Sequence, residues 1–168
     1  PEYREIRAKV PDFLALCYTP ELAARVTMQP IERFGMDAAI LFSDILVVPH
    51  GLGAGVRFVE GEGPRLNPVR GAEDLSRLQP EAVASVVAPV METVRLVRRQ
   101  LDPKIVLIGF AGAPWTVATY MGEGGSSRDF AATKAWAYGD AESFARLIDM
   151  LVEATVSYLD RQIKAGAD

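Results

Sequence analysis

A chain of 168 residues, 49% apolar and 24% charged, has the balance of a globular protein and is long enough to bury one core. Its 18 basic and 22 acidic residues leave a net charge of −4 with no basic stripe, which argues against nucleic acid and anionic membrane as partners. Cys17 and His50 are each alone of their type, which excludes a disulfide framework, a thiolate zinc cluster or a His-rich metal site within one chain.

In chain order, Thr19-Pro20-Glu21 reads as a helix N-cap, a proline in the first turn and an early acid. Leu22, Val26, Ile31 and Phe34 supply the apolar positions of that helix, Gly35 is its stop, and Pro30 predicts a kink or a split. Ala38 to Phe42 is a short continuous apolar run, the pattern of a strand buried on both faces, and it ends at Ser43-Asp44. Residues 51–68 form a glycine-rich loop in which Val56 to Val59 can make a short strand. A helical segment follows Pro80 and runs to Leu101, with a kink expected at Pro89. Ile105 to Ile108 reads as a second buried strand, leading into Gly109-Phe110-Ala111-Gly112. Pro114 opens a short helix, and 124–127 is a loop. Asp140 caps a long amphipathic helix through Phe144, Leu147, Leu151, Tyr158, Leu159 and Ile163, with Gly166 in the position of a C-terminal cap.

Buried strands alternating with helices predict a parallel α/β sheet in a single domain, 1–168. No apolar run reaches the roughly 18–20 residues of a membrane span. A reducing, cytoplasmic location is the simplest expectation. Pro1 is not a Met, and Gly166-Ala167-Asp168 follow a helix where a next strand is due. The sequence therefore reads as part of a longer chain.

Function in parallel α/β folds gathers where strands end. Two places qualify: Phe42-Ser43-Asp44, and Gly109 to Trp115 with Thr119 and Tyr120 further on. By position alone, Asp44 reads equally as a turn or cap residue and as a functional acid. Tyr120 reads first as a core aromatic. Gly51, Gly53 and Gly55 lack the spacing of a dinucleotide fingerprint, and Glu123 to Ser127 lacks a Walker A lysine. Cys17 reads as a small buried residue and His50 as a surface histidine. Arg95, Arg98 and Arg99 read as a solvated helix face.

Phe42-Ser43-Asp44-Ile45-Leu46-Val47-Val48-Pro49 resembles a signature of the uroporphyrinogen decarboxylases, as does Gly109-Phe110-Ala111-Gly112-Ala113-Pro114-Trp115-Thr116 with Thr119-Tyr120-Met121. Pro1 to Glu5, Thr19 to Glu21, Thr27-x-Gln29-Pro30 and Glu60-Gly61-x-Gly63-Pro64 resemble the same family in the same order. The resemblance implies a homodimeric (β/α)8 barrel, which needs about 250 residues, so this chain is expected to be its N-terminal part. It also implies a reaction without cofactor or metal, in which four acetate carboxyls leave uroporphyrinogen III to give coproporphyrinogen III.

By this resemblance Asp44 binds the pyrrole N–H groups and stabilises the cation formed on ring protonation. Tyr120 bonds the substrate near the reacting acetate, Ile40 and Phe110 line an apolar wall, and Arg7 contacts a substrate carboxylate. The family motif Arg-Gln-Ala-Gly-Arg-Tyr-Leu, expected just upstream, is absent, as are serine and histidine ligands from the second half. The segment alone is therefore expected to be inactive. Two alternatives stand beside this reading: a corrinoid-dependent methyltransferase of related fold, and a non-catalytic domain that binds a tetrapyrrole or a partner protein.

Overall fold

The structure, a computed structural model, describes residues 2–168. Pro1, the first residue of one resembling motif, lies outside them. Helices α1 (Glu2–Arg7), α2 (Phe13–Cys17) and α3 (Pro20–Phe34) precede strand β1 (Ala38–Ile40) and helix α4 (Val47–Gly51). Strands β2 (Arg57–Val59) and β3 (Gly63–Arg65) follow, then helix α5 (Ala72–Leu75), a 3-10 turn at Pro80–Ala82, and helices α6 (Val83–Val86) and α7 (Ala88–Gln100). Strand β4 (Val106–Ile108) and helices α8 (Pro114–Glu123), α9 (Ala131–Gly139) and α10 (Ala141–Ala165) complete the order.

These elements form two compact units. The first comprises residues 2–44, 87–111 and 158–168. Here β1 and β4 pair in parallel, Ala38 opposite Val106 and Ile40 opposite Ile108. A parallel pair requires a crossover, and the intervening chain supplies helices, as the α/β reading expects. α3 packs against β1 and α7. Val90, Val94 and Val97 of α7 are fully buried, which stabilises the unit by about 1.5–3 kcal/mol each. Leu107 turns its N–H and C=O away from β1: the carbonyl accepts from the Asp168 backbone at 2.9 Å and the N–H reaches the Asp168 carboxylate at 2.8 Å. Asp168 thus satisfies both backbone groups of Leu107 on the far edge of β4.

The strands are shorter than the apolar runs imply, and they are not buried on both faces. Ala39 and Leu107 are 2% and 0% exposed, whereas Ile40, Val106 and Ile108 are 61%, 46% and 44% exposed. Successive side chains of a strand point to opposite faces, and only one face is covered among the described residues. α10 carries a similar correction. Leu159 and Ile163 join Val152 and Val156 in an exposed apolar stripe, while Leu151, Tyr158 and Gln162 are buried.

Helix punctuation largely follows the residues. α3 runs through Pro30 without a break and stops at Gly35, whose φ of 63° is costly for any residue with a Cβ. Thr19 stands at the N-cap, but its hydroxyl donates to Ala15 O at 2.7 Å instead of capping α3. The stretch after Pro80 is divided, and Pro89 lies in the first turn of a new helix, where its missing N–H is harmless. Asp140 caps α10 by accepting from Ser143 N at 3.2 Å.

The second unit comprises residues 45–86 and 112–157. β2 and β3 form an antiparallel hairpin, so the expected short strand has a partner that the sequence reading did not anticipate. α4 packs on α6 and α8 on α9. Trp136 stacks edge-on against Phe144 at 5.3 Å and donates to Ser143 Oγ at 2.6 Å, which satisfies its buried N–H.

Candidate active site

The loop that leaves β1 is held at successive residues, all within the first unit. Leu41 N donates to Ile108 O at 3.0 Å and so extends the ladder one step beyond the strand. Phe42 N faces the open edge of β1, where it donates to Thr27 Oγ1 at 2.9 Å. The buried Thr27 hydroxyl in turn donates to Ala23 O at 2.9 Å, so it replaces a strand partner without leaving its own proton unmatched. The Phe42 ring meets Tyr3 and Phe13 at 6.0 and 5.8 Å. Ser43 Oγ lies 3.3 Å from the hydroxyl of Tyr158. Asp44 follows, half-buried, four residues beyond the last residue of β1.

Around Asp44 sit three weak acids of raised pKa, Cys17 and Tyr158 buried and Tyr18 half-buried. Burial, reinforced by the Asp44 charge, pushes the Cys17 thiol up to about 12. Burial likewise pushes Tyr158 up to about 12, against a smaller opposing effect of its bond to Ser43 and with lesser help from Cys17 and Asp44. Burial also raises Tyr18, helped by Tyr158, Cys17 and Asp44. All three are therefore neutral O–H or S–H groups at physiological pH, beside a carboxylate whose field they feel.

The end of β4 is gripped differently. The Gln162 side chain accepts from Phe110 N at 2.8 Å and donates to Phe110 O at 2.9 Å. Gly109 makes this possible, because a Cβ there would stand 2.7 Å from Gln162 Oε1. Gly112, in the second unit, likewise leaves room for Ile45 and Val117, each within 2.8 Å of where its Cβ would be.

Ile40 and Phe110 line one cavity of about 440 Å³, together with Val26, Thr27, Ile31 and Ser43. Its wall is mainly apolar, and Ser43 brings it to the residue before Asp44. Arg7 stands apart at the end of α1, half-buried, donating to Val10 O at 3.2 Å. Tyr120 belongs to the second unit, half-buried on α8, where its carbonyl accepts from the Gly124 and Gly125 amides.

Cys17 is buried, as its reading expects. His50 is half-buried on α4 rather than on the open surface. Arg95 and Arg99 pair with Glu92, and Arg98 with Asp168 and the carbonyls of Asp102 and Ile105, so this cluster serves its own helix and neighbours. Among the described residues no three His, Cys, Asp or Glu side chains gather as a metal site.

Sequence reasoning missed Thr27, Ser43 and Gln162 as site-holding residues and took Tyr158 for a plain apolar position. One signal was available. Tyr158 and Gln162 lie four apart on the face of α10 that carries Leu147 and Leu151, and a glutamine on such a face needs partners.

The model of the family described as uroporphyrinogen decarboxylase (URO-D) matches residues 1–168. The uroporphyrinogen decarboxylase of Paracoccus denitrificans is 54% identical over 169 residues, covering 100% of this chain and 49% of that one. That of Rhodospirillum rubrum is 52% identical over 168 residues, covering 100% and 48%. The chain spans about half the length of the curated relatives it matches. Among solved structures, a methyltransferase from Methanosarcina mazei superimposes with a TM-score of 0.76 over 98% of this chain and 48% of that one. At 20% identity, that likeness speaks for the fold alone.

Proposed function

Because this chain belongs to the uroporphyrinogen decarboxylase family, we propose that the polypeptide carrying it is a carboxy-lyase that converts uroporphyrinogen III to coproporphyrinogen III. The observation that carries this reading is the whole-length family match, which includes both strand-end segments that hold the candidate site. The segment 1–168 is read as one part of a (β/α)8 barrel. The parallel β1–β4 pair and the likeness to about half of a larger chain support that reading. In a closed barrel the bare face of Ile40, Val106 and Ile108 would turn inward.

Each decarboxylation begins with a proton added to the electron-rich pyrrole, which leaves a cation. The bond to the carboxylate then breaks, its electron pair quenches the cation, and carbon dioxide departs. A proton replaces it on the side-chain carbon and the ring proton is lost, leaving a methyl group. Asp44, fixed beyond a strand end, accepts hydrogen bonds from the pyrrole N–H groups and stabilises the cation by charge already in place. Ile40 and Phe110 supply apolar wall, Tyr120 bonds the substrate beside the reacting acetate, and Arg7 meets a carboxylate. The reaction in this reading uses no cofactor.

The homodimer rests on the family resemblance, and the cytoplasmic location on the lone Cys17 and the lack of a long apolar run. The net charge of −4 supports a small-molecule substrate over nucleic acid. Among the described residues no helix is long and apolar enough to cross a membrane.

The test is turnover by the intact polypeptide. Uroporphyrinogen III should yield coproporphyrinogen III, and no conversion by a folded chain overturns the reading. Methyl transfer on addition of zinc and methylcobalamin would favour the methyltransferase alternative instead. Tetrapyrrole binding without either reaction would favour a non-catalytic domain.

A further inference from the structure

Tyr158 and Gln162 are one turn apart on α10, so their side chains project from the same face. Each is 1% exposed. Each reaches the chain just beyond a different strand: Tyr158 touches Ser43 after β1, and Gln162 brackets the backbone N–H and C=O of Phe110 after β4. One rigid helical turn therefore spaces the two segments on which the candidate site is built.

The chemistry of each contact suits holding rather than reacting. The Gln162 amide matches the N–H and the C=O of one residue at once, which fixes direction as well as distance. The Tyr158 hydroxyl remains protonated far above neutral pH, chiefly because it is buried, with lesser contributions from Cys17 and the Asp44 charge. It thus stays a neutral partner for Ser43 while lying within the field of the carboxylate one residue away.

We propose that Tyr158 and Gln162 are positioning residues for the decarboxylation, acting through Ser43 and Phe110 to set where Asp44 and the apolar wall meet the substrate. The inference rests on the functional reading of Asp44 given above. It assigns α10 a part in turnover that leaves substrate contact to other residues. Small displacements of a group that must face developing charge cost rate far more than they cost ground-state affinity.

The experiment uses the intact polypeptide and measures kcat, KM and melting temperature for Tyr158→Phe, Ser43→Ala and the double variant, with uroporphyrinogen III as substrate. Tyr158→Phe should lower kcat about ten-fold with KM changed less than about two-fold, at a temperature where the chain is folded. Ser43→Ala, which removes the same bond from its other end, should behave alike, and the double variant should be no slower than the worse single. Wild-type kcat in either single variant, or losses that multiply in the double, overturns the inference. If Tyr158→Phe does not fold, Ser43→Ala decides alone. A wild-type chain without turnover overturns the functional reading and this inference together. Wild-type turnover undiminished by either single variant overturns this inference only.

Discussion

Gln162 holds both backbone polar groups of Phe110, its Oε1 accepting from Phe110 N at 2.8 Å and its Nε2 donating to Phe110 O at 2.9 Å. The strand ladder ends at Ile108, so these two backbone groups have no rung to complete. A side-chain amide carries its acceptor and its donors on separate atoms and so satisfies both directions without a charge. The close approach requires Gly109, and the residue that benefits, Phe110, lines the apolar cavity.

Gln162→Leu should cost the intact protein about 2–4 kcal/mol, because it keeps most of the buried volume but strands a donor and an acceptor. Urea unfolding followed by circular dichroism reads this directly. A change below the error of the midpoint would mean that water or a local shift satisfies Phe110 instead.

Gly109→Ala should act on the same contact from the other side. Its new methyl would stand 2.7 Å from Gln162 Oε1, too close for either atom to stay. The variant should lose about 1–3 kcal/mol, and combining it with Gln162→Leu should cost less than the sum of the two. Additive losses would show that the methyl is accommodated elsewhere.

On the proposed reaction, Asp44→Asn in the intact polypeptide should lower kcat about 10²–10³-fold, since it removes the charge assigned to the pyrrole cation and leaves the shape. Its melting temperature at pH 7 should stay close to wild type. Unchanged turnover would end the role given to Asp44. The same variant should lower the pKa values of Tyr158 and Cys17, because the Asp44 charge helps hold both up. Ultraviolet titration of the tyrosines checks that without any substrate.

Stability should fall at alkaline pH. Cys17 and Tyr158 rise from ordinary values of 9.0 and 10.0 to about 12 on folding, chiefly through burial, and Tyr18 rises as well. Folded groups with raised values hold protons that the unfolded chain has already released. Their contribution is complete below about pH 9 and is lost as the pH rises toward 12. Melting temperatures from pH 8 to 11 should decline, and Tyr158→Phe should flatten the slope. An equal slope in that variant would exclude Tyr158 as a source.

Cys17 should resist thiolate-directed reagents at pH 8, being buried and almost wholly protonated. Modification should follow unfolding, in step with loss of circular dichroism in urea. Rapid labelling of the folded protein would contradict its burial.

Much of this protein could be read from residues in a row. The apolar runs at 38–42 and 105–108 announce strands because side-chain hydrophobicity over a few residues reflects burial of a short extended segment. Gly35, Pro114 and Asp140 mark helix ends because backbone dihedrals and capping are local matters. Phe42 to Pro49 and Gly109 to Thr116 point to the family for the same reason: each motif is contiguous, so Asp44 and Phe110 stand out without any knowledge of their surroundings. The Val56 to Val59 strand was legible, but its hairpin partner at 63–65 was not, since Gly63 and Pro64 are poor strand formers that pair only when β2 is beside them.

What the sequence by itself determined was the family, the parallel α/β class and the acid at a strand end. Tertiary structure alone decided which face of each strand is covered, leaving Ile40, Val106 and Ile108 bare while Ala39 and Leu107 are buried. It alone also brought Tyr158 to Ser43 across 115 positions and Gln162 to Phe110 across 52. Helical periodicity says that a tyrosine and a glutamine share a face, but the partners of a buried hydroxyl and amide are set by which distant backbone folds against them. Such partners come from three-dimensional packing and leave no spacing in the chain to read.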